Sequence, residues 1–251
     1  MSTKSDQRRD AIMQRMYAES SVRVKDLSEA FSVTEETIRQ DLSRLEALGL
    51  CTRTHGGANL RQYSQVAVDI KAQEHAHEKN RLARAAMNRI KDDTTVWIGP
   101  GTTLSAMARY LPLRKNLLIV TNSLELACNA RTSRHEILFL GGRIQKIASC
   151  SVGMFALDNL SHIQIDQAFI GCDGFVEGEG PTTFSFEEME IHRRVMSLSK
   201  EKVLVCDASK FQHSGTYIYA SCSDFDTLIT TPLTEKMKET VKDIRQLFEI
   251  E

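Results

Sequence analysis

Six short apolar runs do most to limit what this chain can fold into. TTVWIG (94–99), LLIVT (117–121), EILFL (136–140), QAFIG (167–171), KVLVC (202–206) and TLIT (227–230) are rich in Val, Ile and Leu. Runs of this length and composition read as strands buried on both faces, the condition of a parallel sheet covered by helices. The segments TLSAMARYL (103–111), SLELACNAR (123–131) and EEMEIHRRVMSLS (187–199) have crossover length, so successive βα units in a mostly parallel, doubly wound sheet are expected. A helix over HEKNRLARAAMNRI (77–90) precedes the first run, and the α/β domain is placed at 77–251.

The first sixty residues follow another pattern. Ile12 and Met16 mark the buried stripe of one helix; SVRV (21–24) reads as a brief strand, and Leu27, Ala30 and Phe31 give the inner face of a second helix. Ser32 and Val33 make a tight turn. Thr34 is a good N-cap, and Glu35 and Glu36 put negative charge where the exposed N–H groups of a first helical turn favour it. A third helix is expected from Glu35 to Leu48, with Ile38, Leu42 and Leu45 inward and Gly49 closing it. Its outer face carries Glu36, Gln40 and Ser43, flanked by Arg39 and Arg44. LCTRTHGGANL (50–60) then reads as strand, glycine turn and strand, with Arg53, Thr54, His55, Gly56 and Gly57 as a basic hairpin tip. Residues 1–62 are therefore read as a winged helix-turn-helix domain and 63–76 as a linker.

Charge decides how such a module could meet DNA. The chain of 251 residues has a formal net charge of −1, and residues 1–62 hold ten Lys/Arg against nine Asp/Glu. Nonspecific affinity rests on neutralising phosphates, so a basic-protein mode is excluded and contact must depend on where the charges sit. Six cysteines, with no C-x-x-C pair and no histidine at zinc-ligand spacing, are expected to be reduced core residues; neither a metal nor a cofactor is expected. No apolar run approaches membrane-spanning length and MSTKSDQRRD lacks a signal-peptide pattern, so a cytoplasmic protein with no membrane partner is expected.

These residues carry a resemblance. Arg8, Ile12 and Met16, followed by Thr34, Thr37, Ile38, Arg39, Asp41 and Leu42, and then Arg53, His55, Gly56 and Gly57 of the wing, resemble the amino-terminal module of the DeoR family of bacterial transcription regulators. Gln40 departs from the Arg or Lys usual in that family, which implies an altered operator, because Gln pairs bidentately with adenine and Arg more often with guanine. Thr34, Thr37 and Arg44 are candidates for phosphate contacts, and Arg39, Gln40 and Ser43 for base edges of double-stranded operator DNA. Asp41 is expected to pair with a basic neighbour. A module carrying so little charge needs at least two copies on a palindromic site, so a homo-oligomer, dimer or tetramer, follows.

In the larger domain, GPGTTLSAM, TNSLELA and GGRIQ each follow a predicted strand. At such positions backbone N–H groups and hydroxyls can bind phosphate without lysine, so Gly101, Thr102, Thr103, Thr121, Asn122, Ser123, Gly141 and Gly142 form a candidate cradle. Asp173, Gly174, Glu188 and Lys210 stand near later strand ends, where acids suit sugar hydroxyls. The resemblance to the DeoR effector domain extends through these segments. It implies a phosphorylated-sugar effector and a fold similar to ribose phosphate isomerase. Gly99 and Pro100 replace the family's Asp-Ser before G-T-T, and His192 stands where Lys is frequent; His192 is read as a surface residue.

The expected function is a repressor of a sugar-metabolism operon controlled by a phosphorylated sugar, with no catalytic residues. The alternative is a sugar-phosphate isomerase-like enzyme, in which Asp173, Glu188 and Lys210 would supply acid–base chemistry. Against it, the isomerase pattern D-G-A-D-E is reduced here to D-G-F-V-E, with Val176 at the second aspartate. An adaptor using the winged helix for protein contacts is a third reading, one that predicts no salt-dependent DNA affinity.

Overall fold

The computed structural model describes residues 4–19, 21–47, 50–60 and 75–250. The expected linker at 63–76 lies outside them up to residue 74, and so do Leu48 and the closing glycine Gly49. The chain divides into two compact units, Met1–Lys71 and Ala72–Glu251.

In the first unit, α1 (Lys4–Glu19), β1 (Ser21–Arg23), α2 (Val24–Phe31) and α3 (Glu35–Ala47) are followed by the hairpin β2 (Cys51–Thr54) and β3 (Gly57–Leu60). The three strands form an antiparallel sheet in the order β1-β3-β2. Ser32 ends α2 in the left-handed region at φ 51°, and Thr34 Oγ1 accepts from Thr37 N at 3.2 Å as the cap of α3. Ile12, Met16, Leu27, Ile38 and Leu42 make a fully buried core, so the apolar spacing of each helix faces one centre.

The second unit is a seven-stranded sheet in the order β15-β14-β12-β9-β4-β5-β6, every pairing in it parallel. All six apolar runs supply strands: β4 (Thr95–Ile98), β5 (Leu118–Thr121), β6 (Glu136–Phe139), β9 (Ile165–Ile170), β12 (Ser199–Val205) and β14 (Thr227–Thr230). The seventh, β15 (Gln246–Glu249), is an exposed edge strand. The chain runs outward from β4 through β5 to β6 and then returns to β9 on the other side of β4, so the order reverses between β4 and β9.

Helices cover both faces. Trp97, Val120, Ala168, Ile170 and Leu204 pack under α7 (Met154–Leu160) and α8 (Phe186–Leu198). Val96, Ile98, Ile119, Phe169 and Val203 pack under α4 (Ala76–Arg89), α6 (Leu124–Ala130) and a 3-10 helix over Ala106–Leu113. That 3-10 segment follows a single α-turn, α5 (Thr102–Ser105), and contains Pro112, which cannot donate to a helical ladder. Two small antiparallel additions sit at the carboxyl ends of the sheet strands. One is the hairpin β7 (Arg143–Gln145) with β8 (Cys150–Val152). The other is a sheet of β10 (Gly174–Val176), β11 (Gly180–Thr183) and β13 (Tyr217–Ile218).

Candidate DNA interface and effector pocket

On α3 the outer face is as expected. Arg39, Gln40 and Arg44 are exposed and Ser43 is half-buried, while Ile38, Leu42 and Leu45 are buried beneath. Asp41, 4% exposed, accepts from Arg8 Nε at 2.6 Å and lies 3.7 Å from Arg9. It ties α3 to α1 and takes no part in the outer face. Arg39 is held along the helix by Glu35 at 2.6 Å and Glu36 at 3.6 Å. Ser43 Oγ donates to the Arg39 carbonyl at 2.8 Å and accepts from Arg53 Nη1 at 2.9 Å, so the wing strand is fastened to the outer helix face.

The wing glycines do two different things. His55 and Gly56 form the exposed turn, and a Cβ on Gly56 would meet nothing within 4 Å. Gly57 is a correction to its reading as part of the tip: it is buried in β3, where a Cβ would come within 1.9 Å of the Val22 carbonyl oxygen. It is there so that β1 and β3 can pair.

At the carboxyl ends of the sheet strands the first three predicted loops come together. Thr121 Oγ1 accepts from Ser123 N at 3.0 Å, and Ser105 Oγ and Ser123 Oγ are 3.4 Å apart, joining the turn after β4 to that after β5. Asn122 Nδ2 donates to the Ser151 carbonyl at 2.9 Å, and Ser151 Oγ in turn reaches the Leu140 carbonyl, which fastens the turn after β6 to β8. Gly101 at φ 110° and Gly141 are open, and Thr102 is half-buried. Thr103 is buried, Gly142 backs onto the Val152 carbonyl, and Gly174 backs onto the His213 carbonyl. Gly142 and Gly174 are thus close-approach glycines that shape the chain.

Helix N-termini contribute less here than expected, because α5 is four residues long and α6 seven. The positive charge comes from elsewhere. Lys79 on α4, 5% exposed, lines a cavity of about 340 Å³ together with Thr102, Ser105, Arg109 and Glu125. Burial tends to raise the Asp207 pKa, yet Lys210, the Ser209 hydroxyl and Lys79 outweigh it and hold that carboxyl below its usual value. Two lysines from distant segments therefore converge on one buried carboxylate beside the cradle. Lys79 was legible in principle: it precedes Leu82, Ala83 and Ala86 at helical spacing, a lysine on an apolar stripe.

Asp173 and Glu188 also meet. Thr183 Oγ1 donates toward Asp173 at 3.3 Å and toward Glu188 at 3.4 Å, and Gln145 Nε2 donates to Glu188 at 3.1 Å. Cys150 links this acidic end to the cradle: it bridges Ser123 through the backbone, and its thiol pKa is raised by burial and by Glu188, Glu187 and Asp173. His192 is a correction. It is 4% exposed, lies edge-on to Tyr219 at 4.6 Å, and has its pKa lowered to about 4 by burial, against a smaller raising effect of Asp173. The cysteines are all free; Cys128 is exposed and Cys172 half-buried, so the expectation of core cysteines holds for Cys51, Cys150, Cys206 and Cys222. Among the described residues no cluster of three or more His, Cys, Asp or Glu could hold a metal, and no helix is long and apolar enough to cross a membrane.

Residues 8–63 match the DeoR-like helix-turn-helix domain and residues 74–231 match the DeoR C terminal sensor domain. The chain belongs to the DeoR family. The lactose phosphotransferase system repressor of Lactococcus lactis subsp. lactis is 31% identical over 89% of each chain. The glycerol-3-phosphate regulon repressor of Escherichia coli (strain K12) is 32% identical, over 90% of this chain and 91% of that one. Ribose 5-phosphate isomerase A of Methanocaldococcus jannaschii superposes with a TM-score of 0.41 at 18% identity, over 55% of each chain. As a DeoR-family regulator, the protein joins a helix-turn-helix unit to a parallel α/β sensor unit.

Proposed function

We propose that this DeoR-family chain is a cytoplasmic repressor of a sugar-metabolism operon, released from its operator by a phosphorylated sugar. In this reading α3 enters the major groove, Arg39, Gln40 and Ser43 face base edges, and Thr34, Thr37 and Arg44 hold phosphates, with Arg53 and the His55–Gly56 turn against the groove edge. The effector's phosphate lies among Gly101, Thr102, Thr121, Ser123 and Gly141, with Lys79 and Lys210 supplying charge, and its hydroxyls point toward Asp173 and Glu188. The observation that carries the effector half is the cavity of about 340 Å³ at the strand ends, lined by Thr102 and Ser105 of the first loop together with Lys79 and Arg109. Support for repression comes from relatives named as repressors of lactose and glycerol-3-phosphate systems.

The isomerase reading has the weaker case. Val176 stands where a second carboxylate would serve proton transfer, and Glu188 is already engaged by Gln145 and Thr183. The test is a gel-shift titration of purified protein against its own promoter and random duplex at moderate salt, with and without phosphorylated sugars. Preference for the promoter, lost on adding one sugar phosphate, is expected. Equal affinity for both duplexes under all conditions, with turnover of a pentose or hexose ester, would replace the regulator by the isomerase.

A further inference from the structure

Met154 and Phe155 are the two most exposed large apolar side chains among the described residues, at 82% and 78%. They open α7, whose Ala156 and Leu160 turn inward and pack on the sheet. Burial explains the inward residues and leaves Met154 and Phe155 without a reason to be apolar in a lone chain. Phe186, 51% exposed, opens α8 and meets Tyr217 of β13 edge-on at 5.7 Å. The two helix starts are neighbours. Arg143 of β7 pairs with Val152 of β8, two residues before Met154, and its guanidinium meets the Glu187 carboxylate, next to Phe186. Met154, Phe155 and Phe186 therefore flank one ion pair and make a single apolar patch.

Single apolar side chains on a surface need no cause, whereas a contiguous patch marks a contact. Aromatic side chains cover about 150–250 Å² each, so three large groups more than half exposed put the patch at roughly 300–600 Å², the size at which such patches are often functional. A standard protein interface takes about 800 Å² from each partner, apolar at its centre and polar at its rim. The patch is large enough to be that centre.

The charges beside it select the occupant. Arg143 and Glu187, with side chains 61% and 36% exposed, put one cation and one anion next to the rings. A partner of one charge sign, such as a nucleic acid or an anionic membrane, would be drawn to one and repelled by the other. A second copy turned about a two-fold axis sets the patch against itself and brings each Glu187 toward the other chain's Arg143. The reader unit gives a separate reason for two copies, because its residues 1–62 hold ten Lys/Arg against nine Asp/Glu and so neutralise few phosphates alone.

We propose that this patch is a two-fold interface between the sensor units of two copies of the chain, with Met154, Phe155 and Phe186 of each covering those of the other. The proposal does not depend on the effector reading, because no ligand enters the contact or its test.

The experiment is sedimentation of the full chain at micromolar concentration, without DNA or sugar phosphate. The wild-type protein is expected to run as a dimer or a larger even assembly. Phe155→Glu is expected to halve that mass, since closing the contact would bury two unpaired carboxylates. Circular dichroism matching wild type checks the fold, which an exposed position should spare. Should Phe155→Glu fold poorly, Met154→Glu takes its place, with the same halving expected. A wild-type monomer overturns the interface and leaves the patch to a different protein. A wild-type assembly whose mass neither well-folded variant alters places the contact between copies elsewhere, and overturns it equally.

Discussion

Lys79 and His192 both occupy apolar-stripe positions of their helices, and both are polar groups kept at a cost. Lys79 sits in line with Leu82, Ala83 and Ala86. Removing one partner of a buried charge interaction is destabilising, and Lys79 is one of two lysines that hold Asp207 charged. Lys79→Met is therefore expected to lower the thermal midpoint without ligand. A sugar phosphate should lose affinity by about 1.5–3 kcal/mol in calorimetry, the range of a charge-assisted hydrogen bond. A lysine that merely balanced Asp207 would give no loss of affinity.

His192 lies between Met189 and Val195 on the buried side of α8. Its pKa is lowered from 6.5 to about 4. Above pH 6.5 the imidazole is neutral folded and unfolded, and contributes no pH dependence. Between 6.5 and about 4 the unfolded chain takes up a proton that the folded chain resists, so stability falls as pH falls, by at most about 3 kcal/mol. Below about 4 both states are protonated and this loss stops. His192→Phe, which preserves a ring against Tyr219, should flatten that part of the urea-unfolding profile relative to wild type. Parallel profiles would show that His192 titrates as in water. Both positions were readable as stripe members, but polarity outweighed position, and sequence alone does not say which polar stripe residue has an electrostatic partner waiting.

At the scale of elements, α3 is stabilised inward and left to act outward. Arg39 is expected to lose its bonds to Glu35 and Glu36 on reaching a base, and such exposed pairs are worth about 0.3–0.5 kcal/mol, little against a base contact. Arg39→Ala should weaken operator binding by about 1–3 kcal/mol and relax preference at one base position, read by gel shift across operator variants. The wing gives a sharper outcome. Gly57→Ala places a carbon against the Val22 carbonyl, so β1 and β3 must part. Operator binding should be lost while sugar-phosphate binding by the sensor unit persists, as seen by calorimetry; retained operator affinity would mean the β1–β3 pairing is dispensable.

The same elements show where sequence reading stops. Strands β4, β5, β9, β12 and β14 were legible because burial on both faces demands unbroken apolar runs, and β6 because its run EILFL has the same form. The edge strand β15 was not, since its residues Gln246–Glu249 are exposed and need no apolar pattern. Nor was β10-β11-β13, built on Gly174, Gly180 and Thr182, whose pairing depends on contacts far apart in the chain. In the wing, two adjacent glycines look alike in sequence, and only the packing of β1 separates the free Gly56 from the obligatory Gly57.

For the whole molecule, charge and copy number are linked. The reader segment 1–62 carries ten basic against nine acidic residues, and Asp41 spends part of that basic charge on Arg8 and Arg9. Few cations remain to neutralise phosphates, so one unit supplies little salt-dependent affinity, and we propose that two act on one duplex as parts of a homo-oligomer. In that arrangement the two readers would contact half-sites on the same side of the helix, about 34 Å apart, one turn of DNA. Inserting five base pairs between half-sites turns one of them to the opposite side, and oligomer contacts that hold the readers in phase then oppose the second contact. Affinity for the lengthened operator should fall to that of a single half-site, while an insertion of about ten base pairs should restore part of it. Fluorescence anisotropy on the three duplexes at one salt concentration distinguishes these cases. Equal binding to all three would mean that each unit reads DNA alone, and the deduction from charge to copy number would fail.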